Sequence, residues 1–411
     1  MCAICALFAE KNVDLRLMEN FTDCFWKLKH RGPHGFRFEK LGQSGILGYH
    51  RLELGASFNS SIMQPLHYDR RQYHLICNGD IYNWKDLDVY NPKSVHCDVQ
   101  IIFPLYETHS NDLGKFASAL DGVFAFCLVD LELRRILLGR DVYGVRPLYR
   151  LTGPPGFLAV ASEEQALLPL IDKNHLEWTL EVVPPGQIQE YALTDQGGAV
   201  FQESVDYHGA IKMSPEIIGD PSKLLKILKS TVSKMARPDS KRVACIVDAT
   251  VSSWLLAAVL NGTFPSGIKI FYDFESIGMC KNLRVYSKLL RTHSWISVHT
   301  QPLREPSDEA CAARLRGITY DCHSDESKNL CRLAYFIAQK YTDVAVLFTN
   351  CSLAKGSKVL QAHDLATSMH GLEIRVPLMD FRFEQLISAY ESNSKMSKCE
   401  IFQELLDISN T

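Results

Sequence analysis

No apolar stretch in the sequence approaches the ~18–20 residues that a helical membrane span needs, so a spanning helix is not expected. Neither sign of charge prevails. Lys+Arg is 44, Asp+Glu is 47 and the net charge is −3, which argues against electrostatic capture of nucleic acid or a membrane surface. Long charge runs, low-complexity tracts and internal repeats are lacking. The 13 cysteines are scattered and odd in number. That pattern excludes a disulfide framework, predicts reduced thiols in the cytosol and offers no zinc site. The first ten residues, Met-Cys-Ala-Ile-Cys-Ala-Leu-Phe-Ala-Glu, lack a basic leader and read as a strand instead of a signal peptide.

What is present is an ordinary globular composition, 46% hydrophobic and 22% charged over 411 residues, enough for two or three domains. The first ~205 residues carry short β-type runs: Gly45–Leu52, Tyr73–Cys77, Gly122–Val129, Arg135–Leu138, Phe157–Ala161 and Gln187–Tyr191. Turn signals separate them at Gly32-Pro33, Asn78-Gly79, Pro154-Pro155-Gly156 and Pro184-Pro185-Gly186. Leu15, Met18, Phe21, Phe25 and Leu28 recur at helical spacing and predict an amphipathic helix. Stacked sheets with helices outside follow. The punctuated stretch 206–220 is the expected linker between a domain at 2–205 and another at 221–400. Beyond it the pattern alternates: helix Leu224–Met235, strand Arg242–Val247, helix Ser252–Leu260, strand Ile268–Tyr272, helix Leu283–Leu290, strand Trp295–Val298, helix Asn329–Lys340 and strand Val344–Phe348. This is a doubly wound parallel α/β pattern, with ligands expected beyond the carboxyl ends of the strands.

Cys2 is the candidate nucleophile. Once Met1 is removed it bears both a thiol and an α-amino group whose ordinary pKa values, ~8.5 and ~7.7–8.0, lie close together, so the amine or a water it orients can take the thiol proton. A buried strand cysteine is the alternative. The motifs that follow in order are His30-Arg31-Gly32-Pro33, His50-Arg51-Leu52, Asn78-Gly79-Asp80-Ile81-Tyr82-Asn83, Cys97-Asp98, Asp121–Phe126 and Gly139–Leu148. With Cys2 in front, this series resembles glutamine-hydrolysing asparagine synthetases, whose N-terminal domain is an N-terminal-nucleophile (Ntn) amidotransferase with an αββα sandwich. The resemblance covers the first ~205 residues and continues in patches to about residue 390.

The resemblance implies roles. Cys2 would attack the glutamine side-chain amide and release ammonia. Asn78 and the Gly79 N–H would form the oxyanion hole. Arg51 would grip the substrate α-carboxylate. Asp98, helped by Asp80, would hold its α-ammonium. Arg51, Leu52, Leu54 and Gly55 would line the pocket. Taken singly, Asn78-Gly79 also fits a hairpin turn, Arg51 a surface strand position and Asp98 a helix N-cap. Ala3 replaces a family Gly, Asp80 a Glu and His34 an Asp, while Glu53 and Gly55 stand where small or apolar residues are usual. Pro104 is expected to kink the helix after Asp98.

In the family the second domain adenylates aspartate with ATP and Mg²⁺, using a Ser-Gly-Gly-Leu-Asp-Ser-Ser loop. Here the loop between Val247 and Leu255 reads Asp248-Ala249-Thr250-Val251-Ser252-Ser253-Trp254. Both glycines are replaced, Ser252 stands for the metal-side Asp, and Asp248 brings a negative charge. Two unit charges at ~4 Å and an effective dielectric of ~20 repel by about 4 kcal/mol. A second loop, Thr349–Lys355, lacks the family's three acids. Val247, Asp273, Thr349 and Asn350 align with ATP-binding positions and are expected to be remnants; no metal site is expected. The domain looks shortened and degenerate. Glutamine is the expected partner, with aspartate and ATP doubtful, and a homodimer is the assembly the family suggests. Two readings stand: an amidotransferase with a weak or lost synthetase step, and a non-catalytic pseudoenzyme scaffold.

Overall fold

The computed structural model describes residues 2–10, 15–42, 45–53, 63–68, 71–172, 177–208, 220–236, 243–248, 250–264, 268–272, 297–299, 325–350 and 356–409. The chain divides into two compact units, one running up to residue 208 and one from residue 220 onward.

The first unit is built on two antiparallel six-stranded sheets. Its strands are β1 (Ala3–Phe8), β2 (Gly35–Lys40), β3 (Ile46–Arg51), β4 (Leu66–Tyr68), β5 (Tyr73–Ile81), β6 (Gly122–Asp130), β7 (Arg135–Arg140), β8 (Tyr149–Thr152), β9 (Leu158–Ala161), β10 (Thr179–Val182), β11 (Gln187–Leu193) and β12 (Ala199–Asp206). One sheet runs β10-β8-β9-β1-β3-β2 and the other β12-β11-β7-β6-β5-β4. Alternate residues of the two sheets interleave in one core: Ile4, Ala6, Phe8, Leu47 and Tyr49 from the first, Ile76, Ala125, Cys127, Val129 and Leu138 from the second. Helices cover the outer faces. Helix α1 (Leu15–Lys27) lays Phe25 on the first sheet, its ring stacked 4.1 Å from His50 and edge-on to Phe38 at 5.4 Å. Gly48 makes room for it, since a Cβ there would lie 2.8 Å from both Phe25 and the Cys5 sulfur. On the second sheet, Leu75, Cys77, Phe124 and Phe126 pack against Ile102, Phe103 and Tyr106 of α2 (Ile102–His109) and Phe116 of α3 (Leu113–Ser118). The four layers are helix, sheet, sheet, helix. A short α4 (Glu164–Leu167) follows β9.

Several local expectations change. Asn78-Gly79 is no turn: it lies inside β5, whose register with β6 runs unbroken from Tyr73↔Asp130 to Ile81↔Gly122. Partner strand and core override the turn preference of the dipeptide. Strand β2 is mostly exposed because it is an edge strand, although Phe36 and Phe38 alternate with Arg37 and Glu39. Leu15 is 85% exposed, so the buried stripe of α1 begins at Phe21. Asp98 does not cap a helix; Cys97 is the N-cap of a 3-10 turn over Asp98–Ile101. Pro104 does not kink a helix interior, because α2 begins at Ile102 and the proline occupies its first turn, where no N–H is required. Cys2 and Cys5 stand at Cys-x-x-Cys spacing, yet Cys2 packs toward the inter-sheet core while Cys5 lies beside Cys24 of α1. Three positions along extended chain reverse the face, so the pair cannot share an ion.

The second unit holds a five-stranded parallel sheet in the order β15-β14-β13-β16-β17, from β13 (Val243–Val247), β14 (Lys269–Tyr272), β15 (Ser297–His299), β16 (Val346–Phe348) and β17 (Glu373–Arg375). Its helices are α5 (Pro221–Ala236), α6 (Val251–Thr263), α7 (Asp325–Lys340), α8 (Gly356–Ser368), α9 (Phe381–Ser394) and α10 (Lys398–Ser409). The unit runs past residue 400: Ile401, Leu405 and Leu406 of α10 are buried, and α10 packs on α5 and α6. The helix expected over Leu283–Leu290 lies outside the described residues. The His370–Asp380 stretch is held by local contacts. Gly371 turns at φ +72°, Arg375 closes a buried ion pair with Glu373 at 2.8 Å, and Asp380 caps α9 through Phe383 N–H.

Candidate active site

Cys2 stands just before β1, half-buried at the edge of the inter-sheet core. Its position is set from three sides. The Tyr49 hydroxyl on β3 donates to the sulfur at 2.8 Å. The Leu52 carbonyl lies 3.9 Å from the sulfur. The fully buried Arg31 donates to the Cys2 carbonyl at 3.3 Å. Arg31 is itself pinned by Glu163 at 3.0 Å, and His30 reaches the same carboxylate oxygen at 2.9 Å. Burial alone would raise the Glu163 carboxyl, but His30 and Arg31 together hold it below its ordinary range. The His-Arg-Gly-Pro motif is thus a clamp on the backbone of Cys2. Its glycine is required by close approach: a Cβ on Gly32 would lie 2.3 Å from the His50 carbonyl carbon. His50 faces α1, bonded to the Phe25 carbonyl at 2.8 Å, and burial lowers its pKa from 6.5 to about 4. It is a neutral packing residue.

The other side of the site comes from β5. Alternation sends Asn78 and Asp80 toward the face that carries Ile76, the side where Cys2 packs. Asn78 is 1% exposed, and its side-chain NH₂ has no hydrogen-bond partner among the described residues. Buried donors are normally satisfied, and no described residue supplies an acceptor for this amide. Gly79 has φ +153°, and a Cβ on it would lie 2.1 Å from the Val123 carbonyl oxygen. Gln64 anchors this stretch: its side chain accepts from Cys77 N–H at 2.5 Å and donates to the Cys77 carbonyl at 3.0 Å.

Electrostatics place the remaining residues. Burial pushes the Cys77 thiol well up, and Asp98, Cys2 and Asp80 push the same way, so all three lie within its field. Burial also pushes the Tyr49 phenol up; Cys2 adds to this and Arg51, at the end of β3, opposes it. Asp98 accepts from Ile81 N–H at 3.0 Å. Asp80 is buried, with the Arg146 guanidinium 3.9 Å away. The Gly139–Leu148 motif builds that arginine into place: Asp141 accepts from Val145 and Arg146 N–H at 2.9 and 3.0 Å, and Arg140 donates to the Gly144, Arg146 and Val183 carbonyls. Two departures from the family pattern meet each other, with Glu53 N–H donating to His34 Nδ1 at 2.9 Å. Leu52 is buried. Leu54 and Gly55 lie outside the described residues. Tyr49 and Gln64 carry no sequence signal of a role near Cys2, because only strand pairing brings them there.

A family model described as a glutamine amidotransferase domain matches residues 1–186. Asparagine synthetase [glutamine-hydrolyzing] from Gallus gallus is 28% identical over 459 aligned positions, covering 99% of this chain and 80% of the relative. The Mus musculus and Homo sapiens proteins of the same name are 29% and 28% identical with the same coverage. The chain is similar to these synthetases over nearly its whole length, and its first 186 residues match an amidotransferase domain. Among solved structures, a glutamine phosphoribosylpyrophosphate amidotransferase from B. subtilis is 15% identical, with a TM-score of 0.39 over 69% of this chain and 70% of that one.

In the synthetase-like unit, Val247 ends β13, and Thr349 and Asn350 follow β16, so three of the four aligned ATP positions sit at the carboxyl ends of adjacent parallel strands. Asp273 and Ala249 lie outside the described residues. The turn into α6 is closed by its own side chains. Asp248 accepts from Thr250 N–H at 2.8 Å and from the Thr250 hydroxyl at 2.5 Å. Ser253 donates to the Thr250 carbonyl at 2.9 Å, and Trp254 Nε1–H to the Asp248 carbonyl at 3.1 Å. The Asn350 amide spans the gap, donating to Thr250 Oγ1 at 2.6 Å and Ser252 Oγ at 3.0 Å.

Proposed function

We propose that the first unit hydrolyses glutamine to glutamate and ammonia at Cys2. The observation that carries this is the buried Asn78 amide, unpartnered among the described residues, on the strand facing Cys2. The Cys2 sulfur attacks the side-chain carbonyl carbon of glutamine, while its proton passes to the Cys2 α-amino group exposed by loss of Met1. The Asn78 NH₂ and the Gly79 N–H take the developing oxyanion; one such donor is typically worth about 2.7–4 kcal/mol in the transition state. Collapse breaks the C–N bond, the amine-held proton leaves with nitrogen as ammonia, and water then cleaves the γ-glutamyl thioester. The Tyr49 hydroxyl steadies negative charge on sulfur. Arg51 binds the α-carboxylate and Asp98 the α-ammonium. Asp80 acts through Arg146, which shares its charge.

In the second unit the residues fit Mg-ATP poorly. Asp248 and the hydroxyls of Thr250 and Ser252 occupy one another, and a carboxylate stands where phosphate would come. The adenylation of aspartate is therefore proposed to be lost. That closed turn also favours the second reading, a non-catalytic pseudoenzyme acting as a binding or regulatory scaffold.

The purified protein incubated with an electrophilic glutamine analogue tests the first reading. Intact mass is expected to show Met1 removed and one adduct, mapped to Cys2 and absent in Cys2→Ala, alongside ammonia release from glutamine. Ammonia release no greater than that of Cys2→Ala would leave the scaffold.

A further inference from the structure

We propose a divalent transition-metal site at Glu39, His67 and His74. Glu39 lies on β2, the edge strand of one sheet, and His67 on β4, the edge strand of the other, directly opposite His74 on β5. One ligand atom from each lies within 4.8 Å of the others. His67 Nε2 is 3.0 Å from one Glu39 oxygen, and His74 Nδ1 is 3.9 Å from the other. The two imidazoles meet edge-to-face at 4.8 Å. All three side chains are half-buried.

Two imidazoles and one carboxylate match the ligand chemistry of zinc and its first-row neighbours. Bonds of ~2.0–2.1 Å in a tetrahedral ion put ligand atoms about 3.3–3.4 Å apart; the contacts of 3.0 and 3.9 Å, each to a different Glu39 oxygen, lie close to that spacing. An ion would tie the two sheet edges together. Three protein ligands leave a fourth position open. A cleft of about 260 Å³ borders the cluster, lined by His67, Tyr68, Gln72, Tyr73, His74 and Leu131. It admits water or a small oxygen-donor ligand to that position. Arg37 donates to Glu39 at 3.2 Å and competes with the ion for the carboxylate. The ligands stand 28 and 7 residues apart in sequence, on three different strands, a spacing that matches no metal motif.

The test uses the full chain stripped with chelator. Zinc titrated calorimetrically near neutral pH is expected to give one tight equivalent, with proton release and weakening as pH falls through the histidine range. Cobalt-loaded protein is expected to absorb as a nitrogen- and oxygen-ligated ion without thiolate-to-metal charge transfer. The thermal midpoint is expected to rise with zinc. His67→Ala/His74→Ala, with its fold checked by circular dichroism, is expected to lose the tight equivalent. Glu39→Gln serves as the milder variant and is expected to weaken binding about tenfold or more. Unchanged affinity in the folded variants, a thiolate band, or no saturable binding to the wild-type chain would each overturn the proposal.

Discussion

Asn78→Ala separates a catalytic donor from a structural one. Asn78 is 1% exposed and its NH₂ bonds to nothing among the described residues. A buried unsatisfied donor ordinarily costs about 1–3 kcal/mol. Removing it relieves that penalty and offsets the packing lost by truncation, so the stability of the first unit is expected to change by less than about 1 kcal/mol. Activity responds differently. If the amide meets the oxyanion, its loss removes about 2.7–4 kcal/mol of transition-state stabilisation, a fall of roughly 10²–10³ in kcat with little change in KM. The assay is steady-state glutaminase kinetics by ammonia release, paired with urea unfolding of the same samples. An unchanged kcat, or a stability loss of about 3 kcal/mol or more, would refute the assignment, since the first removes the catalytic role and the second reveals a structural one.

Gly79→Ala is expected to be the more damaging neighbour, lowering stability by about 3 kcal/mol or more in urea unfolding, because its Cβ would lie 2.1 Å from a backbone oxygen at a φ of +153°. His50 sets a pH dependence. Burial lowers its folded pKa from 6.5 to about 4, so between those values the unfolded chain binds the extra proton. Stability is therefore expected to fall as pH drops from about 6.5 to about 4, by roughly 3 kcal/mol in total. His50→Gln is expected to flatten that part of a pH series of unfolding midpoints. Mg-ATP with aspartate is expected to yield no AMP above a no-enzyme control; clear AMP release would show that the closed Asp248–Thr250 turn opens.

Much of the candidate site is legible in the sequence because it is written in short motifs whose residue types have few other uses together. Cys2, Arg51, Asn78-Gly79 and Asp98 stand in order, and pairing of β1 with β3, and of β5 with β6, fixes them to one region. The clamp on Cys2 is not legible, since Arg31 and Glu163 are 132 residues apart. Gln64, which anchors β5 at Cys77, reads as an unremarkable polar residue until the strand is in place.

The alternating helix and strand of the second half is visible in hydrophobic period, because a buried parallel sheet needs near-continuous apolar strands. The loss of both loop glycines and of the loop acids is visible in residue identity alone. What fills that turn is not. Asn350 reaches Thr250 across 100 residues of sequence.

The amino-acid order by itself determined which chemical groups exist: the leading thiol, the amide-glycine pair, the carboxylate at Asp248. It also determined the two architectures, since side-chain period is a local property of the backbone. Tertiary structure decided which groups meet. Asn78-Gly79 became strand instead of turn because β6 offered a full ladder. Tyr49 came to face the sulfur, and Glu39 came to face two histidines from another sheet, because strand pairing is non-local and no sequence window contains both partners.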